Sequence, residues 1–187
     1  MNLRSVLEVD ARTSNRLRVA EQPGLLRNIS VFFAHSGDSW FWALGLILLW
    51  AFTNDAHWKK WAVVLFGGVS ALAVIVMALK FIIRRRRPEG EWGGIYRNTD
   101  PHSFPSGHAA RAILIAVLAA GLGPAWLAVL LWLWAPLVAL ARVAMGVHYL
   151  SDIVAGVLLG LLMGLLSLAL YTQLLDWVMG WLGFLLW

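Results

Sequence analysis

The chain has 187 residues, of which 60% are hydrophobic and 13% charged, with twelve tryptophans and a formal charge of +5. Together with a mean hydropathy of +0.73, this excludes an ordinary soluble domain, argues against a nucleic-acid partner and predicts a single integral membrane unit. The lack of cysteine excludes disulfides, thiolate metal sites and cysteine nucleophiles, which leaves chemistry to His, Ser, Asp, Glu, Lys and Arg.

Residues 1–30 read as an interfacial arm and residues 31–187 as a helix bundle, the two forming one domain. The arm mixes Arg4, Arg12, Arg16, Arg18 and Arg27 with Glu8, Asp10 and Glu21. It has no apolar core of signal-peptide length, so no cleavable leader is expected. Leu25, Leu26, Ile29, Val31 and Phe32 predict a helix lying flat in the interface.

A helix crossing the hydrocarbon core needs about 20 mostly apolar residues, and five segments qualify. The first covers residues 31–52, interrupted by His35 and Asp38, with its start placed nearer Ser39. The second, 61–83, is apolar until Lys80. The third, 107–123, carries Arg111 near its start and is closed by Pro124. The fourth, 125–141, contains Pro136, a kink that neighbouring helices tolerate. The fifth, 153–171, sets Gly156, Gly160 and Gly164 on one face, where small side chains permit close helix approach. The closing stretch DWVMGWLGFLLW either extends the fifth helix or lies in the interface, where tryptophan is favoured. The predicted fold is therefore all-α: a polytopic transmembrane bundle of five helices, six if the last stretch spans, with an N-terminal interfacial helix. With five spans, the arm, the polar interruption at 84–106 and the region 142–152 share one face. The opposite loops hold only Lys59 and Lys60 as cations, so the positive-inside tendency puts the polar face on the cytoplasmic side of an inner membrane.

Ionisable residues inside such apolar sequence are costly and are read as functional. In ARVAMGVHYLSD, His148 and Asp152 are four apart and can touch on a helix face, the carboxylate orienting one ring nitrogen and leaving the other basic. A self-satisfied polar pair acting as helix glue has the same pattern. In KFIIRRRRP, Lys80 and Arg87 are seven apart, two turns along one helical face, and Pro88 ends the helix. Such a pair can grip a phosphate; Arg84, Arg85 and Arg86 read as a membrane-border cluster. In FPSGHAAR, Ser106 is a plausible helix cap, Gly107 admits a ligand to the backbone, and His108 sits in the first turn beside the anion-attracting helix start.

These three pieces, Lys80 with Arg87 and Pro88, the tetrad from Pro105 to His108, and Arg142 with His148 and Asp152, resemble in order and spacing the three signatures of the type 2 phosphatidic acid phosphatase superfamily. The resemblance covers roughly residues 61–171, with the motif core at 80–152. Ala141 departs from the serine often found before the third arginine. The resemblance implies a membrane phosphatase acting on a lipid phosphate in the bilayer. His148 would be the nucleophile, Asp152 its orienting partner and His108 the general acid and base. Lys80, Arg87, Ser106, Gly107 and Arg142 would hold the phosphoryl group. It implies no cofactor and no metal, since the cations and a helix terminus supply the positive charge. Candidate substrates are a polyprenyl phosphate or diphosphate, phosphatidic acid and phosphatidylglycerophosphate. Alternatives left open are phosphoryl transfer to another acceptor, vanadate-dependent peroxidase chemistry, and a non-catalytic anion-binding or transport protein. Among the remaining polar residues, Asp38 with His35 reads as a helix cap rather than a substrate entrance. His57 and His102 read as loop residues, Glu89, Glu91, Trp92 and Tyr96 as solvated loop rather than as shaping head-group preference, and Arg111 as either a phosphate ligand or a snorkelling side chain.

Overall fold

The computed structural model describes residues 3–97 and 100–182, and among them finds nine helices and no strand beyond an isolated bridge between Arg86 and His102. In chain order these are α1 (Leu3–Arg16), α2 (Leu25–Ser36), α3 (Ser39–Phe52), α4 (Ala56–Ile83), α5 (Glu91–Arg97), α6 (Gly107–Leu122), α7 (Ala125–Ala144), α8 (Leu150–Ala169) and α9 (Tyr171–Leu182). Hydrocarbon offers no partner to an unpaired peptide group, which leaves helices or a closed barrel, and long continuous apolar runs suit helices. α4, α7 and α8 are long and apolar enough to cross a membrane, while α3 and α6 are apolar but shorter.

α6 is the axis of the bundle. Its sequence GHAARAILIAVLAAGL is apolar on all sides beyond Arg111, and every residue from Ala109 to Ala119 is buried. A helix of that kind has to be surrounded, and α4, α7 and α8 surround it. The closest approach is with α8, through the glycine face foreseen in the sequence. A Cβ on Gly156 would stand 2.5 Å from the Ser106 carbonyl oxygen, one on Gly160 2.3 Å from that of Ala110, and one on Gly164 2.8 Å from the Val117 side chain. α3 packs on α4. The lipid-facing sides of α4, α7 and α8 keep large apolar side chains exposed, Phe81, Leu133 and Leu158 among them.

Three local readings of the sequence are corrected and one of two alternatives is removed. The expected span at 31–52 is two helices, parted at Gly37 and Asp38. α4 stops at Ile83, because Arg84 turns left-handed at φ 52° and its N–H closes on the Lys80 carbonyl. Lys80 and Arg87 therefore do not share a helical face. His148 is not on a helix either: it lies in the turn that Gly146, at φ 67°, allows after α7, and α8 begins at Leu150. The closing stretch does not continue α8, since the helix breaks at Leu170 and restarts at Tyr171; residues 183–187 lie outside the described part.

The arm contains a helix that the sequence did not announce. α1 presents Asp10 and Ser14, four residues apart, to the start of α8, where Ser14 accepts from the Leu150 N–H at 2.8 Å and Asp10 from the Ser151 N–H at 3.0 Å. These amides have no partner within their own helix, so α1 caps α8 from outside.

Candidate active site

Every one of the eight candidate residues lies at the same end of the bundle, carried there by helix ends and the two polar connections between them. After Arg84 the chain runs straight and pairs with 101–103, Ser103 N–H donating to the Arg85 carbonyl at 2.8 Å. That strip delivers Arg87 to the turn after α7, where its guanidinium donates to the Val147 carbonyl at 2.9 Å and reaches His148 Nε2 at 3.2 Å. The starts of α6 and α8 are tied together by Ser106 N–H on the Asp152 carbonyl at 3.0 Å. Lys80 comes from the last turns of α4 and Arg142 from the last turn of α7. Lys80, Arg87, Ser106, Arg142, His148 and Asp152 are all buried.

His148 has a defined tautomer. With an Arg87 N–H aimed at Nε2, that nitrogen keeps its lone pair and the proton sits on Nδ1, which faces Asp152 Oδ2 at 3.5 Å. That contact is too long for a strong hydrogen bond. Burial, and then the charges of Arg87, Arg142 and Lys80, hold this imidazole well below its ordinary value of 6.5, so it is neutral. Asp152 is itself anchored: Oδ2 accepts from Tyr149 N–H at 2.9 Å and Oδ1 from Arg85 at 2.7 Å. Arg85 also binds Asp10 at 2.7 Å and Ser151. The border reading of Arg85 is thus overturned.

Arg142 is fully buried, and its side-chain partner among the described residues is neutral, the Tyr96 hydroxyl at 3.1 Å. The Tyr96 ring lies 4.6 Å from the Arg142 guanidinium and 5.3 Å from that of Arg87, a stacking that suits cations. Tyr96 is therefore no plain loop residue. Nε and Nη2 of Arg142 find no acceptor among the described residues. Its backbone carbonyl accepts from the Val147 and His148 N–H groups at 3.1 and 3.3 Å, which puts it beside His148. Lys80 and Arg87 meet on a single oxygen, Oδ2 of Asp100, with Arg87 at 2.7 Å.

Ser106 is the N-cap of α6, its hydroxyl accepting from the Ala109 N–H at 3.4 Å. The first-turn amides of Gly107 and His108 have no acceptor within the helix. His108 lines a cavity of about 150 Å³ with Lys80, Asp100, Gly107 and Arg111; Leu72, Ala73, Val76 and Met77 of α4 form its apolar wall. Arg111 does not snorkel: it is buried and clamps the α2–α3 elbow, donating to the Gly37 carbonyl at 2.9 and 2.6 Å and to the Ser39 hydroxyl. Asp38, at the N-cap position of α3, makes no capping bond. Its carboxylate instead meets His108 Nε2 at 2.7 Å and His35 Nδ1 at 3.0 Å. Burial opposes charge on Asp38, but the hydrogen bonds from the two imidazoles outweigh it and hold the carboxyl well below the usual carboxylate range. Sequence reasoning missed Asp10, Arg85, Tyr96 and Asp100 as parts of this cluster and misread Asp38. Only Asp38 carried a signal, an acid set three residues after a histidine in apolar sequence.

Residues 61–176 match the model of the PAP2 superfamily. The decaprenylphosphoryl-5-phosphoribose phosphatase of Mycobacterium tuberculosis is 31% identical over 153 residues, 81% of this chain and 84% of that protein. An undecaprenyl-diphosphatase of Sulfolobus acidocaldarius is 30% identical over 142 residues, 74% of this chain and 67% of the relative. In fold, the chain is similar to a Bacillus subtilis transmembrane PAP2-type phosphatidylglycerolphosphate phosphatase, with a TM-score of 0.72 at 24% identity over 90% of this chain and 87% of the other.

Proposed function

The chain belongs to the PAP2 superfamily and is an integral membrane phosphatase, and from that premise we propose that it hydrolyses the terminal phosphate of a polyprenyl-type lipid, as monoester or diphosphate, through a phosphohistidine. The observation that carries this reading is the fully buried Arg142, with two donor atoms unpartnered, beside a neutral His148. A cation and a nucleophile held together out of water suit an anionic electrophile such as a phosphoryl group.

In the first step Nε2 of His148 attacks phosphorus. The bond to the leaving oxygen breaks, and His108 gives that oxygen its proton. Asp152, facing Nδ1, balances the positive charge that grows on the attacking ring. In the second step water attacks the phosphohistidine and passes a proton to His108, so the cycle ends with inorganic phosphate and both imidazoles restored. Lys80, Arg87, Arg142 and the start of α6 at Ser106 and Gly107 hold the phosphoryl oxygens. Positive charge of this amount makes the scheme independent of a metal ion. The preference for a polyprenyl lipid is supported by two relatives whose names specify polyprenyl substrates and by the apolar α4 wall beside the polar end of the His108 cavity.

The test is phosphate release in detergent from a panel of polyprenyl phosphate, polyprenyl diphosphate, phosphatidic acid and phosphatidylglycerophosphate, with and without chelator. Fastest turnover on a polyprenyl substrate, undiminished by chelator, is expected. Activity that chelator removes and a divalent ion restores overturns the metal-free scheme, and no release from any lipid leaves anion binding or transport in its place.

The arginines of the arm, on the same face as the site, support a cytoplasmic orientation in the inner membrane. Gly94→Cys in sealed inside-out vesicles should then be labelled by an impermeant maleimide, whereas labelling confined to right-side-out vesicles reverses the assignment.

A further inference from the structure

Resting on the phosphatase reading above, we infer that Asp38 is a positioning residue for His108, forming a second carboxylate–imidazole pair from outside the three motifs, with His35 fixing the far side of the carboxylate. Its two oxygens are divided between the rings, Oδ1 to His108 Nε2 at 2.7 Å and Oδ2 to His35 Nδ1 at 3.0 Å. Two rings that each donate to a carboxylate fix its plane, and a fixed carboxylate fixes the ring it faces. Since Nε2 is engaged by Asp38, Nδ1 of His108 is the nitrogen left to exchange a proton with the leaving oxygen and then with water.

The elbow that carries Asp38 is rigid. Besides the Arg111 bonds to Gly37 and Ser39, Trp134 donates to the Ser36 hydroxyl at 2.8 Å and Trp42 to the Ser36 carbonyl at 3.0 Å. Gly37 lets the elbow approach: a Cβ there would stand 2.7 Å from Val138 Cγ1 and 3.4 Å from His108 Cδ2. Three side chains from α3, α6 and α7 thus converge on four residues whose one free carboxylate points at the proposed acid. An N-cap needs none of this, and Asp38 forms no cap.

The charges around His108 show why a carboxylate is required. Arg111 of α6 and Lys80 of α4 line the same cavity as His108 and act against a positive ring, and Asp100 is the acid that shares that cavity. A general acid must carry a proton before it can give one, and among the described residues Asp38 is the acid hydrogen-bonded to this ring. The carboxylate keeps its charge throughout: the proton passes from His108 to the alkoxide oxygen, returns from water, and never resides on Asp38.

Leaving-group dependence tests this in the full chain in detergent. An alkyl lipid phosphate needs its leaving oxygen protonated, whereas p-nitrophenolate leaves without help. In Asp38→Asn, kcat on phosphatidic acid should fall by about 10²-fold, the lower end of what general acid catalysis contributes. KM and the first-turnover release of p-nitrophenolate from p-nitrophenyl phosphate should each stay within about threefold, because little acid catalysis is lost there. Asp38→Glu should restore part of the alkyl rate. Equal losses on both substrates, or an unchanged alkyl rate, overturn the inference. His108→Ala separates the two levels of argument. If it shows the leaving-group split and Asp38→Asn does not, positioning by Asp38 fails and the phosphatase scheme stands; if His108→Ala shows no split, the acid assignment itself is wrong.

Discussion

Phosphate release falls to background in His148→Ala, by about 10⁴-fold or more, as loss of a covalent nucleophile does. The residue lies in a turn before α8, and its Nε2 lone pair is aimed toward the cationic side by the Arg87 guanidinium at 3.2 Å. Truncation leaves Arg87 its bonds to the Val147 carbonyl and to Asp100, and the variant should remain a helical bundle by circular dichroism. The intermediate gives an independent check. Phosphoramidates on histidine survive alkali and are lost in acid, so rapid alkaline quenching during turnover of a ³²P-labelled lipid phosphate should leave label on the parent chain and none on His148→Ala. Label persisting in the variant, or a residual rate within about tenfold of the parent, would remove His148 from the role of nucleophile.

The second large effect combines loss of activity with gain of stability. Arg142→Met should lower kcat by about 10²- to 10³-fold, as removal of one donor to a developing oxyanion does. It should also raise the free energy of unfolding, by about 1–4 kcal/mol if it behaves like other buried charges replaced by apolar groups of similar volume. The reason is the company Arg142 keeps: it is fully buried, has a neutral hydroxyl as its partner, and shares the Tyr96 ring with the guanidinium of Arg87. Removing it relieves repulsion as well as desolvation. Vanadate, an anion of phosphate shape, should raise the melting temperature of the parent and do so far less in the variant. A variant that melts lower than the parent while retaining activity would mean that Arg142 serves packing and not the phosphoryl group.

How much of this was legible beforehand divides along the range of the interaction. The apolar segments could be found because their continuous runs suit spanning helices, and the Gly156, Gly160 and Gly164 face announced a close helix approach, though not its partner α6, because helical period alone sets which side chains align. The cluster of candidate residues was legible as three spaced signatures. What local period could not supply was the path of the chain between them. Arg87 was expected on the same helical face as Lys80, yet it arrives by an extended strip because Arg84 turns left-handed. His148 was expected on a helix and lies in a turn that Gly146 permits. Partner choice was the least legible. The bonds from Asp38 to His108 and from Asp10 to Arg85 join residues 70 and 75 positions apart; Asp38 stands three residues after a histidine in apolar sequence, whereas nothing near Asp10 distinguishes it from a solvated charge. The single-oxygen meeting of Lys80 and Arg87 on Asp100 is of the same kind.

The outer helix α1 therefore cannot be treated as packaging. Asp10 holds Arg85 at 2.7 Å, Arg85 holds Asp152 at 2.7 Å, and Asp152 faces the ring of His148 at 3.5 Å. A purification tag at that terminus would tug, through three links, on the group that meets phosphorus, so an affinity handle belongs at the carboxyl end.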